Sequence, residues 1–373
     1  MEHMYLDYNA TTPAAPEVVE EMAPYQRDRF GNPSSGHWYG RQTKAAVARG
    51  RDQVASLLGC SPAEIVFTGG GSEANNHAVK GPAWADRGRG DHIITSSVEH
   101  PAIVNPCRWL EGQGFRVTWL PVDGYGMVDP GGVEDAITDK TILVTIMHAN
   151  NEVGTIQPVA AIGEIARERG VPFHTDAAQS VGKIPVRVDE LKVDLLTVAA
   201  HKLYGPKGVG ALYVREGTVL ESLIHGAGHE NGRRAGTENV AGIAGLGRAC
   251  ELAAVSPEER MRDLARLRDE FQQMLEDQVG EVLLNGHPEE RLPNTLNVSF
   301  PGINAAGLLD RIPEICASTG SACHHGSQTL SPVLEAMGIG AERGFGAVRF
   351  SIGRWTSREE LERAAQLIGE RLR

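Results

Sequence analysis

The chain has 373 residues, of which 41% are hydrophobic and 23% charged, and a formal net charge of −12. That length suits one large domain plus a smaller one, and the composition is ordinary for a globular enzyme. An acidic balance without a basic block argues against nucleic acid as the main partner, though a local anion site remains open. No apolar run approaches the roughly 18 residues that span a bilayer, so no membrane association is expected. Residues 1–7 show no basic segment followed by an apolar one, so no signal peptide is expected. Five cysteines (Cys60, Cys107, Cys250, Cys316 and Cys323) are odd in number and widely spaced. That is no disulfide framework, and it points to a cytoplasmic protein with free thiols.

From about residue 40 to 250 the pattern is strand, loop, helix, repeated. Short β-rich runs fall at residues 64–67, 92–95, 117–120, 142–147, 172–175 and 195–198, with helices between them at 43–58 and 159–169 among others. Such alternation predicts an α/β fold with a mostly parallel sheet covered on both faces. Polar loops follow the strands, and ligands in open α/β sheets bind beyond the carboxyl ends of strands. A long helical run over 257–279 then leads to short strands near 295–300, 315–318 and 347–352 and a last helix over 357–372. These predict a smaller α+β domain, with the N-terminal segment packed on it. The expected division is 15–255 for the large domain, and 1–14 with 256–373 for the small one.

Four segments carry chemistry. Thr68-Gly69-Gly70-Gly71-Ser72-Glu73-Ala74-Asn75 follows a strand and opens a helix. Its glycines admit an anion to the backbone, and the helix N-terminus offers free N–H groups, so a phosphate fits. The same residues also satisfy a loose dinucleotide pattern, or a plain helix-capping turn. In His174-Thr175-Asp176-Ala177-Ala178-Gln179, a carboxylate at a strand end suits a pyridinium nitrogen, or merely caps a helix. In Ala199-Ala200-His201-Lys202-Leu203-Tyr204-Gly205-Pro206, a lysine beyond an apolar strand could form a Schiff base with a carbonyl cofactor. A solvated surface lysine is the plainer alternative, but the Asp176 and Lys202 loops end successive strands. Finally, Cys323 sits in the small-residue stretch Ser318-Thr319-Gly320-Ser321-Ala322-Cys323-His324-His325-Gly326. A structural cysteine prefers apolar neighbours, and His324 and His325 could favour the thiolate. Adjacent side chains make a poor metal set, so no metal is expected.

Together these segments resemble the NifS/IscS type of cysteine desulfurase, of the class V aminotransferase family of pyridoxal-phosphate enzymes, and closely also the selenocysteine lyases. Tyr5-Leu6-Asp7-Tyr8-Asn9-Ala10-Thr11-Thr12-Pro13, Gly31-Asn32-Pro33-Ser34-Ser35, Ser97-Val98-Glu99-His100, His148-Ala149-Asn150-Asn151-Glu152-Val153-Gly154, Arg234-Ala235-Gly236-Thr237-Glu238-Asn239 and Arg349-Phe350-Ser351 extend the resemblance over nearly the whole chain. It implies a fold-type I transferase whose large domain has a mostly parallel seven-stranded sheet, and a homodimer. It implies pyridoxal 5′-phosphate bound covalently by Lys202, with His100 stacked on its ring, Asp176 on the ring nitrogen and Gln179 on the phenolic oxygen. Gly71, Ser72 and His201 would hold the phosphate, and Thr237 would reach the phosphate of the other subunit. Asn151 and Arg349 would bind the substrate carboxylate, Arg349 as a bidentate clamp. The implied reaction takes sulfur from L-cysteine as a persulfide on Cys323, carried on a mobile loop, and releases L-alanine. A sulfur-acceptor protein, such as an iron–sulfur scaffold, would take the sulfur onward.

Ala199 departs from the family pattern, where Ser or Thr supplies a phosphate hydroxyl. Residues 324–331 lie nearer the lyase pattern, while Pro101 leans back toward cysteine. The chain ends at Arg373, before the longer tail by which housekeeping members meet the scaffold. An aminotransferase of the same fold needs no Cys323. An NAD(P)-dependent oxidoreductase leaves Asp176, Lys202 and Cys323 unexplained, and a non-catalytic binding protein needs neither Lys202 nor Cys323.

Overall fold

The computed structural model describes residues 3–324 and 327–372, with side chains described outside 321–328. Seven strands form the main sheet: β1 (Ile65–Thr68), β2 (His92–Ser96), β3 (Arg116–Leu120), β4 (Thr141–Thr145), β5 (Phe173–Asp176), β6 (Leu195–Ala199) and β7 (Gly210–Val214). Their spatial order is β1-β7-β6-β5-β4-β2-β3. From β6 across to β3 the neighbours pair in parallel, and β7 runs antiparallel to both β6 and β1. All but the edge strand β3 are buried along their whole length, as expected of strands covered on both faces. Alternate side chains feed two cores: Ile65 and Phe67 enter one, and Val66 the other.

A second sheet has the order Ser318–Thr319, Ala347–Ser351, Thr295–Ser299, Leu283–Asn285, antiparallel throughout. The helices Pro257–Val279 and Arg358–Leu372 pack together over it. Leu264, Phe271 and Leu275 recur at helical spacing and are buried. Phe271 meets Phe350 edge-on, with ring centroids 5.2 Å apart.

The N-terminal segment stitches the two sheets together. Met4–Tyr5 pairs in parallel with Ile315–Cys316, and the Ser351 N–H donates to the Leu6 carbonyl. Six residues further on, the Thr12 N–H donates to the His201 carbonyl, and that of Ala15 to the Tyr204 carbonyl. Residues 9–11 therefore cross the seam between the sheets.

The strand Leu283–Asn285 was not expected, the expected strand 315–318 is two strands in different sheets, and three further details differ from the sequence reading. The fourth strand stops at Thr145 rather than 147, because the chain there turns into the polar loop that borders the cleft. Strand β7 was not recognised as a strand; its glycine-led start, Gly208-Val209-Gly210, reads as a turn. Gly210 is required there: a Cβ would stand 2.5 Å from the Val198 carbonyl and 2.8 Å from the Gly70 carbonyl carbon. Third, the backbone of the Cys323 segment is a hairpin, Ser321–His324 pairing antiparallel with Ser327–Leu330. The side chains of Cys323 and His324, and all of His325, lie outside the described residues. Among the described residues no helix is long and apolar enough to cross a membrane.

Candidate active site

Strands β1, β2, β4, β5 and β6 end on one edge, and the second sheet faces that edge across the N-terminal crossing. Between them lies a cleft of about 670 Å³. Its walls include Gly71, Ser72, His100, Asn151, Asp176, Gln179, His201, Lys202 and Arg349, all singled out in the sequence. Thr237 is absent from these walls and is exposed on the loop before the helix Val240–Ala254. That loop is pinned to the glycine-rich turn. Arg234 Nε donates to Glu73 Oε1 at 2.8 Å, and Glu73 Oε2 accepts the Gly69 N–H at 2.8 Å.

Each wall has a local cause. The helix Gly71–Ala85 begins without a side-chain cap, and Gly70 has φ of 144°, a conformation that glycine alone adopts freely. Its first-turn N–H groups therefore face the cleft uncapped. Gly71 is closely fitted, since a Cβ there would lie 3.1 Å from the Cβ of Ala199. Because β7 runs backwards, its N-terminal approach, Lys207 and Gly208, reaches the same edge and lines the cleft beside them.

Asp176 ends β5 with both oxygens held: Oδ2 accepts from Asn75 Nδ2 at 2.6 Å and Oδ1 from the Ala178 N–H at 2.9 Å. His100 caps the helix Pro101–Glu111, with Nδ1 accepting from the Ala102 N–H at 3.1 Å. A neutral ring therefore carries its proton on Nε2. Burial lowers the pKa of His100, opposed by Asp176 and assisted by Lys202. Lys202 leaves a single 3-10 turn after β6. Its Nζ donates to the backbone carbonyls of Asn9 (2.6 Å) and Ala10 (2.8 Å). Burial, then Arg349, lowers it to about 8, against the pull of Asp176 and Asp7. His201 is lowered to about 4 by burial and by Lys202, Lys207 and Lys183.

Arg349 reaches across from the second sheet. Nη2 donates to Asp7 Oδ1 at 2.7 Å and to Ser318 Oγ at 3.0 Å, and Nη1 donates to the Asn151 carbonyl at 3.0 Å. Its Nε is buried without a partner among the described residues. A two-point clamp on a carboxylate would have to share this guanidinium with Asp7, a partner the sequence reading did not name.

Asn9 is the main residue that reading left without a role. It is 1% exposed. Its carbonyl receives both Lys202 Nζ and Gln179 Nε2, the latter at 2.9 Å. Its side chain meets Thr295, Lys183 and Asn294. A lone Asn in a turn carries no signal of its own; the motif around it was the only clue.

Glu99, beside His100, is buried. Its Oε1 accepts from Ser96 Oγ (2.7 Å) and the Met147 N–H (2.9 Å), and Oε2 has no partner among the described residues. Burial raises its pKa from 4.5 to about 8. A carboxyl that holds its proton more tightly when folded stabilises fully below the unfolded value, and loses that contribution as pH rises toward the folded one. Glu99→Gln keeps the shape and the neutral form, so thermal melts from pH 5 to 8 should show its Tm gaining on the parent by roughly 5 °C or more at the alkaline end. A constant offset across that range would mean that Glu99 is already ionised in the fold.

The family model for aminotransferase class-V matches residues 4–364. The chain belongs to the class-V aminotransferase family. Within the family it is 49% identical to cysteine desulfurase IscS of Dictyoglomus turgidum over 360 residues, covering 96% of this chain and 91% of the relative. It is also 49% identical to IscS of Methanosarcina thermophila, over 98% and 91% of the two chains. Among solved structures, a NifS-like protein superposes with a TM-score of 0.93 at 38% identity, over 99% of this chain and 98% of its own. SspA in complex with cysteine superposes with a TM-score of 0.84 at 39% identity, over 95% and 100%. The chain is thus a fold-type I enzyme of the NifS/IscS-type cysteine desulfurase class, and it depends on pyridoxal 5′-phosphate. The cleft fits that cofactor. An uncapped helix N-terminus suits a phosphate, a fixed carboxylate suits a ring nitrogen, and a lysine amine opens between them.

Proposed function

We propose that this cleft desulfurates L-cysteine, with Cys323 receiving the sulfur as a persulfide and L-alanine leaving. The observation that carries the reading is the convergence of Lys202, Asp176 and Arg349 on one cleft at the seam of two sheets. An amine, a pyridinium partner and a carboxylate binder are what the α-carbon chemistry of an amino acid needs.

Lys202, Gly71, Ser72, His100, Asp176, Gln179, His201 and Asn151 would hold the cofactor, with Lys202 bonded to it. Bound, the cofactor supplies a ring that takes up the electron pair left when a Cα–H bond breaks. Arg349 and Asn151 fix the substrate carboxylate, and the Arg349 Nε–H, without a partner among the described residues, offers one donor for it. Lys202, with a pKa of about 8, exchanges a proton with Cα near neutral pH. His100, its Nδ1 occupied, presents Nε2 to the cleft as a second proton carrier. The Cys323 thiolate attacks the substrate sulfur: an S–S bond forms, the Cβ–S bond breaks with its pair left on carbon, and protonation there yields alanine.

Thr237, exposed on a loop anchored by Glu73 and by the Arg51–Glu230 pair (2.7 Å), suits a contact with the phosphate in a second copy, which makes the working unit a homodimer. On this reading a large domain over 15–255 would carry the seven-stranded sheet, and a small one over 1–14 with 256–373 would carry the second sheet. The sulfur would pass to an acceptor protein in the cytoplasm, for iron–sulfur cluster assembly or another thiolation.

The test is stoichiometry. Purified holoenzyme given L-cysteine and a reductant should release alanine and sulfide in equal amounts. Alanine from selenocysteine with neither product from cysteine would instead make the protein a selenocysteine lyase.

A further inference from the structure

Lys183, four residues beyond Gln179, was given no role in the sequence. Its Nζ donates to Gln179 Oε1 at 2.7 Å and to Asn9 Oδ1 at 2.9 Å. We propose that Lys183 is a positioning residue: its ammonium holds the carbonyl end of Gln179, so that the amide's remaining N–H faces the cleft and meets the cofactor's phenolic oxygen. This rests on the reading of Gln179 given above.

An amide can present either end, and the wrong one would set oxygen against oxygen. Here both ends are fixed. Gln179 Nε2 donates to the Asn9 carbonyl, which only accepts, and Oε1 faces an ammonium, which only donates. One amide hydrogen is left over, and Gln179 lines the cleft. The second support of Lys183 is equally determined. Asn9 Nδ2 donates to Thr295 Oγ1 (2.8 Å) and the Asn151 carbonyl (3.3 Å), so its Oδ1 must face Lys183, where it also accepts from Asn294 Nδ2 (3.0 Å). The chain of contacts runs from the second sheet, through Asn9, to the residue that touches the cofactor.

Charge adds to orientation. Among the described residues no carboxylate lies within ion-pair distance of Lys183. The charged groups around it are cations: Lys202 from the turn after β6 and Arg349 from the second sheet, with Asp176 and Asp7 acting on Lys202, while His201, lowered to about 4, is a neutral ring near neutral pH. Burial and these cations push Lys183 well below an ordinary lysine. An anionic oxygen in the cleft is what this concentration of positive charge lacks.

The test compares holoenzyme carrying K183M, K183Q, K183R and Q179A, by the visible absorption of the bound cofactor titrated against pH and by thermal melts. Losing a nearby cation and losing a donor on the phenolic oxygen both make the cofactor-linked Lys202 nitrogen easier to protonate. K183M should raise the titration midpoint by about one pH unit, and K183R should restore it to within a few tenths. K183Q, which can accept as well as donate, should shift it as K183M does, and serves if K183M does not fold. A lower Tm with an unmoved midpoint in K183M and K183Q would reduce Lys183 to packing and overturn the proposal. Q179A separates the layers. If it moves the midpoint while the Lys183 variants do not, only this inference falls; if Q179A itself leaves the midpoint in place, the reading of Gln179 falls with it.

Discussion

Lys202→Ala is expected to lower alanine formation from cysteine by about 10⁴-fold or more, because in the proposed function one side chain serves as both cofactor anchor and proton carrier. The geometry says why no neighbour can substitute. Lys202 Nζ is drawn to the carbonyls of Asn9 and Ala10 at the seam, whereas Lys183 Nζ is tied to the two side-chain oxygens of Asn9 and Gln179. Lys207, on the approach to β7, lies at the glycine-rich end of the cleft, with Gly69–Ser72. Lys202→Arg keeps a charge but no displaceable amine, so it should fail to the same degree. Both variants should lose the absorption band of lysine-bound cofactor. The fold should survive: burial works against the Lys202 charge rather than for it, so the Tm of Lys202→Ala should be equal to the parent's or higher. Turnover within tenfold of the parent would remove Lys202 from the centre of the chemistry.

The position of the cleft follows from two features of the sheet. Parallel strands put their carboxyl ends on one edge, which gathers the polar ends of β1, β2, β4, β5 and β6 there. The reversed β7 adds its starting loop to that edge, bringing Lys207 and Gly208 beside the glycine-rich turn. His174, within the β5 motif, belongs to the scaffold instead. It is fully buried between Thr145 Oγ1 (2.8 Å) and Thr197 Oγ1 (3.1 Å), and burial drives its pKa down to about 3. It ties β4, β5 and β6 together behind Asp176 as a neutral ring.

The sequence displayed what local pattern encodes. Buried strands show as apolar runs, and each strand of the main sheet was placed within two residues of its observed start and end, apart from β7. Chemistry-bearing side chains show as polar residues just past those runs, which is why Asp176, His201 and Lys202 stood out. What stayed hidden depends on distant pairing. Asn9 acquires its role only when Met4–Tyr5 pairs with Ile315–Cys316 more than 300 residues away. Asp7 meets Arg349 for the same reason. Lys183 looks like any lysine in a turn until Gln179 and Asn9 close around it. Gly210 reads as a loop residue because its requirement comes from Val198 and Gly70, on another strand and another loop. The hairpin 321–330 has too many small and polar residues for alternation to show.

Cys323→Ala should abolish release of both alanine and sulfide, a loss of at least about 10²-fold, because a hydrocarbon cannot accept sulfur. Cys323→Ser should do no better, since a hydroxyl is a far weaker nucleophile than a thiolate at neutral pH. Topology gives the expectation its force. Ser318 pairs with Arg349 in the second sheet, and the hairpin that carries Cys323 starts three residues later. The Gly320 N–H donates to the Ala347 carbonyl and the Ser331 N–H to the Gly320 carbonyl, each at 2.9 Å, closing the base of the hairpin. Ser331 Oγ also donates to Glu152 Oε2 at 2.7 Å, beside the Asn151 loop. The proposed sulfur carrier therefore sits on a separate two-stranded hairpin that follows directly from the strand paired with that of Arg349, the proposed carboxylate binder. Because Arg349 and Lys202 are untouched, Cys323→Ala should still bind cysteine, with a spectral change whose midpoint concentration stays within about threefold of the parent. Alanine released at the parent's rate by this variant would take Cys323 out of the reaction, and a lost spectral change would make it a substrate-binding residue instead of the sulfur carrier.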